Sequence, residues 1–349
     1  MSKLSRMERR NLRRRKRRRR IFFFIVLPIL LIVAAAGIYG ASLLNKAELA
    51  LDKAFTPLER EGRNIKPNVD NVSVLIMGVD DSSTRGFESS ARTDALLVAT
   101  FNKKENSIKL LSIPRDSYVY IPEVGYKDKI NHAHAYGGPL ATIETIEELL
   151  DIPIDFYVKI NFEAFIEIVD ALGGIEMYVP ISFTEQDSKD RHNAISLKEG
   201  YQHLNGEEAL ALARTRKIDN DYERGKRQQE ILKAIIKKAA SIGSIPKYSQ
   251  IIDSIGDNME TDITSEHALA FAEYLKSGLS LQIDTLTLEG EDLWIPNKNG
   301  QNIYYYGLDE YNLAEVKSIL QSHLELDSTN FGQNFDHLYK NQAQNSYGY

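Results

Sequence analysis

The stretch VSVLIMGVD, residues 72–80, is a short apolar run rich in branched side chains that leads into a glycine and an acid. Such a run predicts a buried β-strand followed by a loop. Two further runs of this kind follow, TDALLVATFN (93–102) and SIKLLSIP (107–114), and Pro114 closes the second of them. These runs predict three strands of a sheet.

Segments with apolar residues at helical period separate and follow the predicted strands. Predicted helices occupy 139–152, 161–172, 206–213, 221–242, 265–279 and 309–324, and further strands occupy 174–180 and 282–290. Two of the helices are preceded by the spacing of a capping box, at Asn205/Glu208 and Asn220/Glu223. Because strands and helices alternate without a repeat, the predicted fold class is α/β, with helices covering a mixed sheet.

The N-terminal segment differs sharply from the rest of the chain. Residues 1–20 carry twelve Lys/Arg against one acid, although the whole chain has a net charge of −6. Residues 21–44 form a run of 24 residues without a charge, which exceeds the ~20 residues that span a bilayer as a helix. Pro28 can kink such a helix without preventing the span.

Three interpretations of this segment compete. A nucleic-acid-binding arm would explain the basic residues, but the adjacent apolar run argues against it. A cleaved signal peptide would explain the apolar run, but that run is long and ASLLNKA is a weak cleavage site. An uncleaved anchor with its positive residues inside the cell explains both features. It places the acidic remainder outside the membrane, where ATP and reduced nicotinamides are not available.

These features predict the domain organisation. A basic cytoplasmic segment occupies 1–20, a transmembrane helix 21–44, a polar stalk 45–70, a globular domain 71–325 and a disordered tail 326–349. The chain contains no cysteine, so disulfides and thiolate metal sites are excluded. GxxxxGK[ST], GxSxG and HExxH motifs are absent from the sequence. In NHAHAY (131–136), two histidines would share one face if the segment were extended, but two histidines without a third ligand are more often ordinary polar residues.

Acids and arginines follow or precede the predicted strands, where α/β proteins usually place ligand-binding groups. They are Asp80, Asp81, Arg92, Asp94, Arg115 and Asp116. A second group lies in the stretch ALARTRKIDNDYERGKRQQ, namely Arg214, Arg216, Asp221, Arg224 and Gln228. Arg214 and Arg216 point the same way if their segment is extended, and the last three residues of the group share one helix face.

This combination suits a pyrophosphate. Arginine stays charged and presents a planar fork that matches phosphate oxygens. Two aspartates can hold a Mg²⁺ ion that also contacts phosphate. Taken singly, each motif has an ordinary alternative, since Asp80 and Asp81 could form a simple turn and Asp221 with Arg224 an exposed helix pair.

The residues also resemble a known family. The succession LIMGVD, ARTDALLVATFN, LLSIPRDSYVYIP, KINHAHAYGG, NFEAFIEIVDALGGIEMYVP, GYQHLNGEEALALARTRK and DNDYERGKRQQ, over residues 72–245, is similar in order and spacing to the LytR-CpsA-Psr proteins. The resemblance implies an α/β/α sandwich with a central mixed sheet. It also implies an extracytoplasmic phosphotransferase, anchored by a single helix in the membrane of a Gram-positive-type envelope.

Such an enzyme moves an anionic glycopolymer, for example wall teichoic acid, from undecaprenyl pyrophosphate to peptidoglycan. The new phosphodiester forms at the C6 hydroxyl of N-acetylmuramic acid. The pyrophosphate carries the energy, so no nucleotide is needed. The implied partners are the lipid-linked polymer, peptidoglycan and the membrane, and no nucleic acid is expected.

Carried over onto this sequence, the resemblance assigns a role to each site residue. Pyrophosphate is expected at Arg92, Arg115, Arg214, Arg216 and Gln228. Mg²⁺, or Mn²⁺ in its place, is expected at Asp80 and Asp94, with Asp81 as the alternative to Asp80. The catalytic group comprises Arg92, Asp94, Arg115, Asp221 and Arg224, and either Asp94 or Asp221 can be the general base.

Two rival functions use the same residues. One is hydrolysis of the polyprenyl pyrophosphate, in which water replaces the sugar hydroxyl. The other is a non-enzymatic membrane regulator that senses polyprenyl lipids. The lipid tail would need an apolar tunnel, for which FEAFIEIVDAL (162–172) and EILKAIIKKAA (230–240) are candidates, although core packing gives the same pattern.

Overall fold

The structure is a computed structural model. It describes residues 49, 52–58, 60, 71–79, 92–218, 221–241, 258–264, 266–268, 270–271 and 281–326, with the backbone alone at 221 and 222. The predicted basic segment and membrane helix, residues 327–349 of the predicted disordered tail, and Asp80, Asp81 and Asn220 lie outside these residues. Over the ranges just given, none of the helices is both long enough and apolar enough to cross a membrane.

The described elements alternate between strands and helices along the chain. The strands are β1 (Asn71–Val79), β2 (Thr93–Asn102), β3 (Ser107–Ser112), β4 (Tyr118–Ile121), β5 (Tyr126–Lys129), β6 (Phe156–Ile160), β7 (Ile175–Val179), β8 (Phe183–Glu185), β9 (Ile195–Leu197), β10 (Gly200–Leu204), β11 (Met259–Thr261), β12 (Gln282–Thr287), β13 (Gly290–Pro296) and β14 (Asn302–Leu308). The helices are α1 (His132–Leu150), α2 (Phe162–Ala171), α3 (Gly206–Arg214), α4 (Asp221–Ala239) and α5 (Glu310–His323).

A six-stranded sheet forms the centre, in the order β11-β6-β1-β2-β3-β12. Strand β1 pairs parallel with β6 and antiparallel with β2, while β3 pairs antiparallel with β2 and parallel with β12. The sheet is therefore mixed, which confirms the predicted α/β class with a central mixed sheet. Among the described residues, four two-stranded sheets accompany it, β4 with β5, β7 with β10, β8 with β9 and β13 with β14.

Strand β1 buries side chains on both faces of the sheet because successive residues of a strand point in opposite directions. Leu75 and Met77 belong to a core cluster that also includes residues of α1 and α5. Val72 and Val74 pack in a different cluster, with Phe156 of β6. On β2 and β3, Ala99, Ile108 and Leu110 pack against residues of α4. Helices therefore cover the sheet on both sides.

Two helix ends follow the sequence signals closely. Asn205 and Glu208 form the predicted capping box of α3, in which each side chain accepts a hydrogen bond from the other residue's backbone N–H. Helix α2 ends at Ala171, just before Gly173 and Gly174, whose φ values of 78° and 80° lie in the left-handed region that favours glycine.

The segment NHAHAY is helical. His132 and His134 lie in the first turn of α1, so the extended arrangement considered for them is wrong. The apolar period that predicts this helix starts only at 139 because Gly137 and Gly138 break the helix there, with Gly138 at φ 66° and Pro139 following. His134 is fully buried, and His132 Nδ1 donates to Asp128 Oδ2 at 2.8 Å.

Candidate active site

One edge of the sheet brings the first predicted residues together. Strands β1 and β2 are antiparallel, so β1 ends where β2 begins, and Gly78 faces Ala95 there. Asp94 lies beside this pair, and β3 ends at the same edge because it runs antiparallel to β2. Arg115, three residues after β3, donates from Nη1 to Asp94 Oδ1 at 2.5 Å.

The connection between α3 and α4 supplies the second group of cations. Helix α3 ends at Arg214, and Thr215 has extended backbone angles, φ −60° and ψ 137°. In the sequence, the buried Thr215 lies between the half-buried Arg214 and the exposed Arg216. In an extended segment, alternate side chains point the same way, so the two arginines point away from the buried side of Thr215. Both arginines line one cavity.

Arg227 of α4 holds this connection in place. Its Nε donates to Leu212 O at 2.7 Å and its Nη2 to Thr215 O at 2.8 Å. The side chain is buried, so these hydrogen bonds form away from solvent. Arg227 was missed in the sequence because it lies among the other charges of RGKRQQ, where nothing distinguishes it from a solvated arginine.

The cavity has a volume of about 550 Å³ and two kinds of wall. Five predicted site residues line it, namely Asp94, Arg214, Arg216, Arg224 and Gln228. The apolar wall comes from the two predicted tunnel segments and from the sheet, and includes Phe162, Phe165, Ile168, Ile231, Leu232, Ile235, Ile76 and Leu97. A cluster of cations therefore lies at the same cavity as a wall of apolar side chains.

The polar side chains of the cavity are tied to the backbone around it. Arg214 donates from Nη2 to Gln186 O and, at 2.7 Å, to Asp187 O, and its guanidinium carbon lies 5.8 Å from the Phe162 ring centre. Gln228 Nε2 donates to Ala213 O at 3.2 Å. Arg224 is 6% exposed, so a charged group faces the cavity from a largely buried position.

Glu185 of β8 also lines the cavity and was not predicted. Burial opposes ionisation of its carboxyl, but hydrogen bonds from the Gln186 backbone and the Thr215 hydroxyl, with the charge of Lys217, outweigh burial and hold the pKa of Glu185 below its ordinary value. Lys217 Nζ lies 3.5 Å from Glu185 Oε1. The acidic run EQD (185–187) is the only sequence signal for this residue.

The remaining predicted residues are placed differently. Arg92 is exposed directly before β2, and neither Arg92 nor Arg115 is among the described lining of the cavity. Arg115 contacts the site through Asp94. The side chain of Asp221 lies outside the described part of the structure, although its backbone begins α4.

A divalent cation has few described ligands here. In the described ranges, no group of three or more His, Cys, Asp or Glu side chains is placed to hold a metal ion. Asp94 supplies one carboxylate at the cavity, and its predicted partners Asp80 and Asp81 are outside the description. Mg²⁺ binds through one or two carboxylates with water and substrate phosphates, so the donor type at Asp94 fits this ion.

Comparison with known proteins agrees with the motifs. The model of the LytR_cpsA_psr family matches residues 42–322. The polyisoprenyl-teichoic acid–peptidoglycan teichoic acid transferase TagT of Bacillus subtilis is 40% identical over 297 residues, which cover 83% of this chain and 90% of that protein. An uncharacterised Staphylococcus aureus protein is 40% identical over 276 residues, 78% of this chain, and the match spans 66% of that relative's length.

A solved structure extends the likeness to three dimensions. It is the LytR-CPS2A-psr family protein YwtF (TagT) with bound octaprenyl pyrophosphate lipid, with a TM-score of 0.59 and 36% identity, covering 76% of this chain and 95% of that one. The family match, the sequence identity and the fold agree. The chain belongs to the LytR-CpsA-Psr family.

Proposed function

We propose that this protein transfers an anionic glycopolymer, wall teichoic acid or a similar polymer, from undecaprenyl pyrophosphate to peptidoglycan. The observation that carries the proposal is the cavity itself, where Arg214, Arg216 and Arg224 lie beside an apolar wall of α2 and α4. A polyprenyl pyrophosphate is complementary to this lining, because it has an anionic head for the arginines and an apolar chain for the wall. The name of the relative TagT, a teichoic acid transferase, supports the same substrate class.

The residues divide the work by their positions. Arg214, Arg216, Arg224 and Gln228 neutralise and orient the pyrophosphate, because phosphoryl transfer is catalysed mainly by positioning and by charge stabilisation. Arg115 fixes the Asp94 carboxylate at the sheet edge. Arg92 is exposed directly before β2, and its proposed role is to contact the outer phosphate oxygens.

In the reaction, the C6 hydroxyl of a muramic acid residue attacks the phosphorus that carries the polymer. The bond from this phosphorus to the bridging oxygen breaks, and undecaprenyl phosphate leaves. The hydroxyl proton passes to a carboxylate, for which Asp94 and Asp221 are the two candidates. Mg²⁺ held by Asp94 with Asp80 or Asp81 would supply charge neutralisation at the phosphate oxygens.

The location follows from the same proposal. Residues 21–44 would anchor the chain with residues 1–20 in the cytoplasm and the catalytic domain outside the cell. The donor pyrophosphate stores the energy of the transfer, which removes the need for a nucleotide on that side of the membrane.

The test uses the full chain in detergent micelles with a labelled polymer on undecaprenyl pyrophosphate, peptidoglycan strands and Mg²⁺. We expect the label to become joined to peptidoglycan, and we expect EDTA to abolish this transfer. Free labelled polymer would establish the hydrolase instead, and bound but unchanged lipid would leave only the lipid sensor.

Arg216→Ala is the sharpest variant for this assay, because Arg216 is exposed at the cavity whereas Arg214 also holds the Gln186 and Asp187 carbonyls. We expect Arg216→Ala to lower the transfer rate at least about 100-fold, as for loss of one preorganised charge-stabilising group. Lys104→Ala, an exposed cation paired with Glu325, is the matched control. Equal turnover of both variants would refute the pyrophosphate assignment.

A further inference from the structure

A second group of side chains, apart from the cavity, forms an aromatic surface. Three segments of the chain contribute to it, the β4–β5 hairpin, the first turn of α1 and the β13–β14 hairpin. Its members, which we call the aromatic platform, are Tyr118, Tyr126, Tyr136, Trp294, Tyr304 and Tyr305. Trp294 is 59% exposed and Tyr126 52% exposed. Tyr118, Tyr304 and Tyr305 are half-buried. Exposed apolar side chains that are rimmed by polar residues mark interaction sites.

The rings are arranged by direct contact. Tyr118 and Tyr305 have centroids 4.8 Å apart, and Trp294 and Tyr304, which face each other across the β13–β14 ladder, have centroids 5.3 Å apart. Lys129 Nζ lies 5.7 Å from the ring centres of both Tyr304 and Tyr305. Lys129 therefore joins the two hairpins at the platform.

Asp128 connects the three contributing segments. Its Oδ2 accepts from Tyr136 OH at 2.7 Å and from His132 Nδ1 at 2.8 Å, and its Oδ1 accepts from Tyr305 OH at 3.4 Å. Burial opposes ionisation, but the hydrogen bonds of His132 and Tyr136 outweigh it and hold the pKa of Asp128 below its ordinary value. Asp128 therefore orients Tyr136 and Tyr305, whereas Tyr304 is oriented by Asp292 and by its contact with Trp294. Hydrogen bonds of this kind hold the rings in place, as a built binding surface requires.

A continuous chain of contacts leads from the platform to the catalytic edge. Lys129 Nζ lies 2.8 Å from Asp116 Oδ1, and Asp116 Oδ2 lies 3.5 Å from Arg115 Nε. Arg115 in turn contacts Asp94. Tyr306 N also donates to Asp116 O at 2.9 Å, which fixes strand β14 beside this junction. The platform begins where the proposed phosphate site ends.

We infer that the aromatic platform binds the glycan strand of the acceptor, an uncharged chain of hexopyranose rings, and presents it to the phosphate site. This inference rests on the proposed function. One face of a pyranose ring carries several C–H bonds and lies flat against an aromatic ring, while the hydroxyls at its edge need hydrogen-bond partners. Tyrosine and tryptophan offer such an apolar face together with a polar group, and Asp292, which accepts from Tyr304 OH at 3.0 Å, adds an acceptor at the rim.

The charges near the platform favour this occupant over the anionic donor polymer. Three aspartates, Asp116, Asp128 and Asp292, contact the platform or Lys129, and Lys129 is paired with Asp116. A second lysine, Lys127, lies over the Tyr118 ring at 5.8 Å, so the carboxylates at the platform outnumber its lysines by three to two. A polyol phosphate chain would meet these carboxylates, and its acyclic units offer no flat face to stack. An uncharged glycan meets neither obstacle.

Trp294 makes the inference directly measurable, because it is the single tryptophan of the chain. The full chain in detergent micelles is titrated with a β-1,4-linked tetramer of N-acetylglucosamine, and tryptophan emission is followed. We expect a saturable change, and a Kd about tenfold higher for Tyr304→Ala. Tyr304→Phe, which keeps the ring, should bind almost as the unaltered chain does.

Tyr201→Ala is the matched control, because Tyr201 is 85% exposed on β10, in a different two-stranded sheet. In the transfer assay, Tyr304→Ala should raise the KM for peptidoglycan about tenfold and leave the KM for the lipid-linked donor unchanged. Absence of a fluorescence response, or equal displacement by poly(glycerol phosphate), would overturn the inference.

The transfer reaction and the glycan site are distinguished by different outcomes. Transfer to peptidoglycan with no glycan response at Trp294 would overturn the platform alone. A normal glycan titration without any transfer by the unaltered chain would support the glycan site and overturn its role as the acceptor site.

Discussion

Arg227 offers the most quantitative test of how the candidate site is held. Arg227→Met keeps much of the side-chain length but removes the donors to Leu212 O and Thr215 O. Hydrogen bonds from a charged donor contribute about 1.5–3 kcal/mol each, and Leu212 and Thr215 are almost fully buried. Relief of the cost of burying the guanidinium offsets part of the loss. We therefore expect a net destabilisation of about 3 kcal/mol.

Urea denaturation of the full chain, followed by circular dichroism, measures this change in the free energy of unfolding. Lys226→Ala is the matched control, since Lys226 is the preceding residue, is half-buried and pairs with Glu223 at 3.0 Å. It should cost less than about 0.5 kcal/mol. Arg227→Lys should fall between the two, because lysine keeps the charge and loses the fork.

The same variant should also weaken the donor site, since Thr215 separates Arg214 from Arg216. We expect the KM for the lipid-linked donor to rise in Arg227→Met and to stay constant in Lys226→Ala. If the two variants had the same urea midpoint and the same donor KM, the claim that Arg227 positions the arginine segment would be wrong.

Two other perturbations test the cavity and the core. Leu232→Trp should narrow the cavity at its apolar wall, so the variant should lose more turnover as the polyprenyl chain of the donor becomes longer. An equal loss for all chain lengths would contradict lipid binding at this wall. Burial, with the nearby charge of Lys109, lowers the pKa of His323, whose ring bonds Thr100 and Ser107. The unfolded chain then binds the proton more readily, so stability should be complete above about pH 6.5 and decline as pH falls from there. His323→Gln should lack this decline in urea titrations between about pH 5 and 8, and an unchanged pH dependence would refute it.

Much of the fold was accessible from the sequence because its signals are local. The apolar runs of β1, β2 and β3 are continuous, and Asn205 with Glu208 marks the start of α3 through side chains that reach only three residues. The β4–β5 and β13–β14 hairpins were missed. Their strands are short or carry exposed side chains, so they lack an apolar run that periodicity can detect.

The site was predictable in chemistry and only partly in arrangement. Residue type and helical spacing place Arg224 and Gln228 together, and both line the cavity. No local pattern tells that Arg227, three positions from Arg224, turns inward to two carbonyl groups. Nor does the sequence indicate that the Arg115 guanidinium donates a hydrogen bond to Asp94, since that contact depends on the pairing of β2 with β3.

Gln229 lies beside the cavity residue Gln228 but faces the sheet. Its Nε2 donates to Leu110 O, 119 residues earlier in the chain, and to Leu286 O, 57 residues later. Helix α4 is thereby fastened to β3 and β12 at once, and contacts between such distant segments form slowly because each closes a long loop. A partly folded chain would therefore have its arginines in sequence but no anion site in space. Binding of a phosphate by these arginines should therefore report on the completed fold.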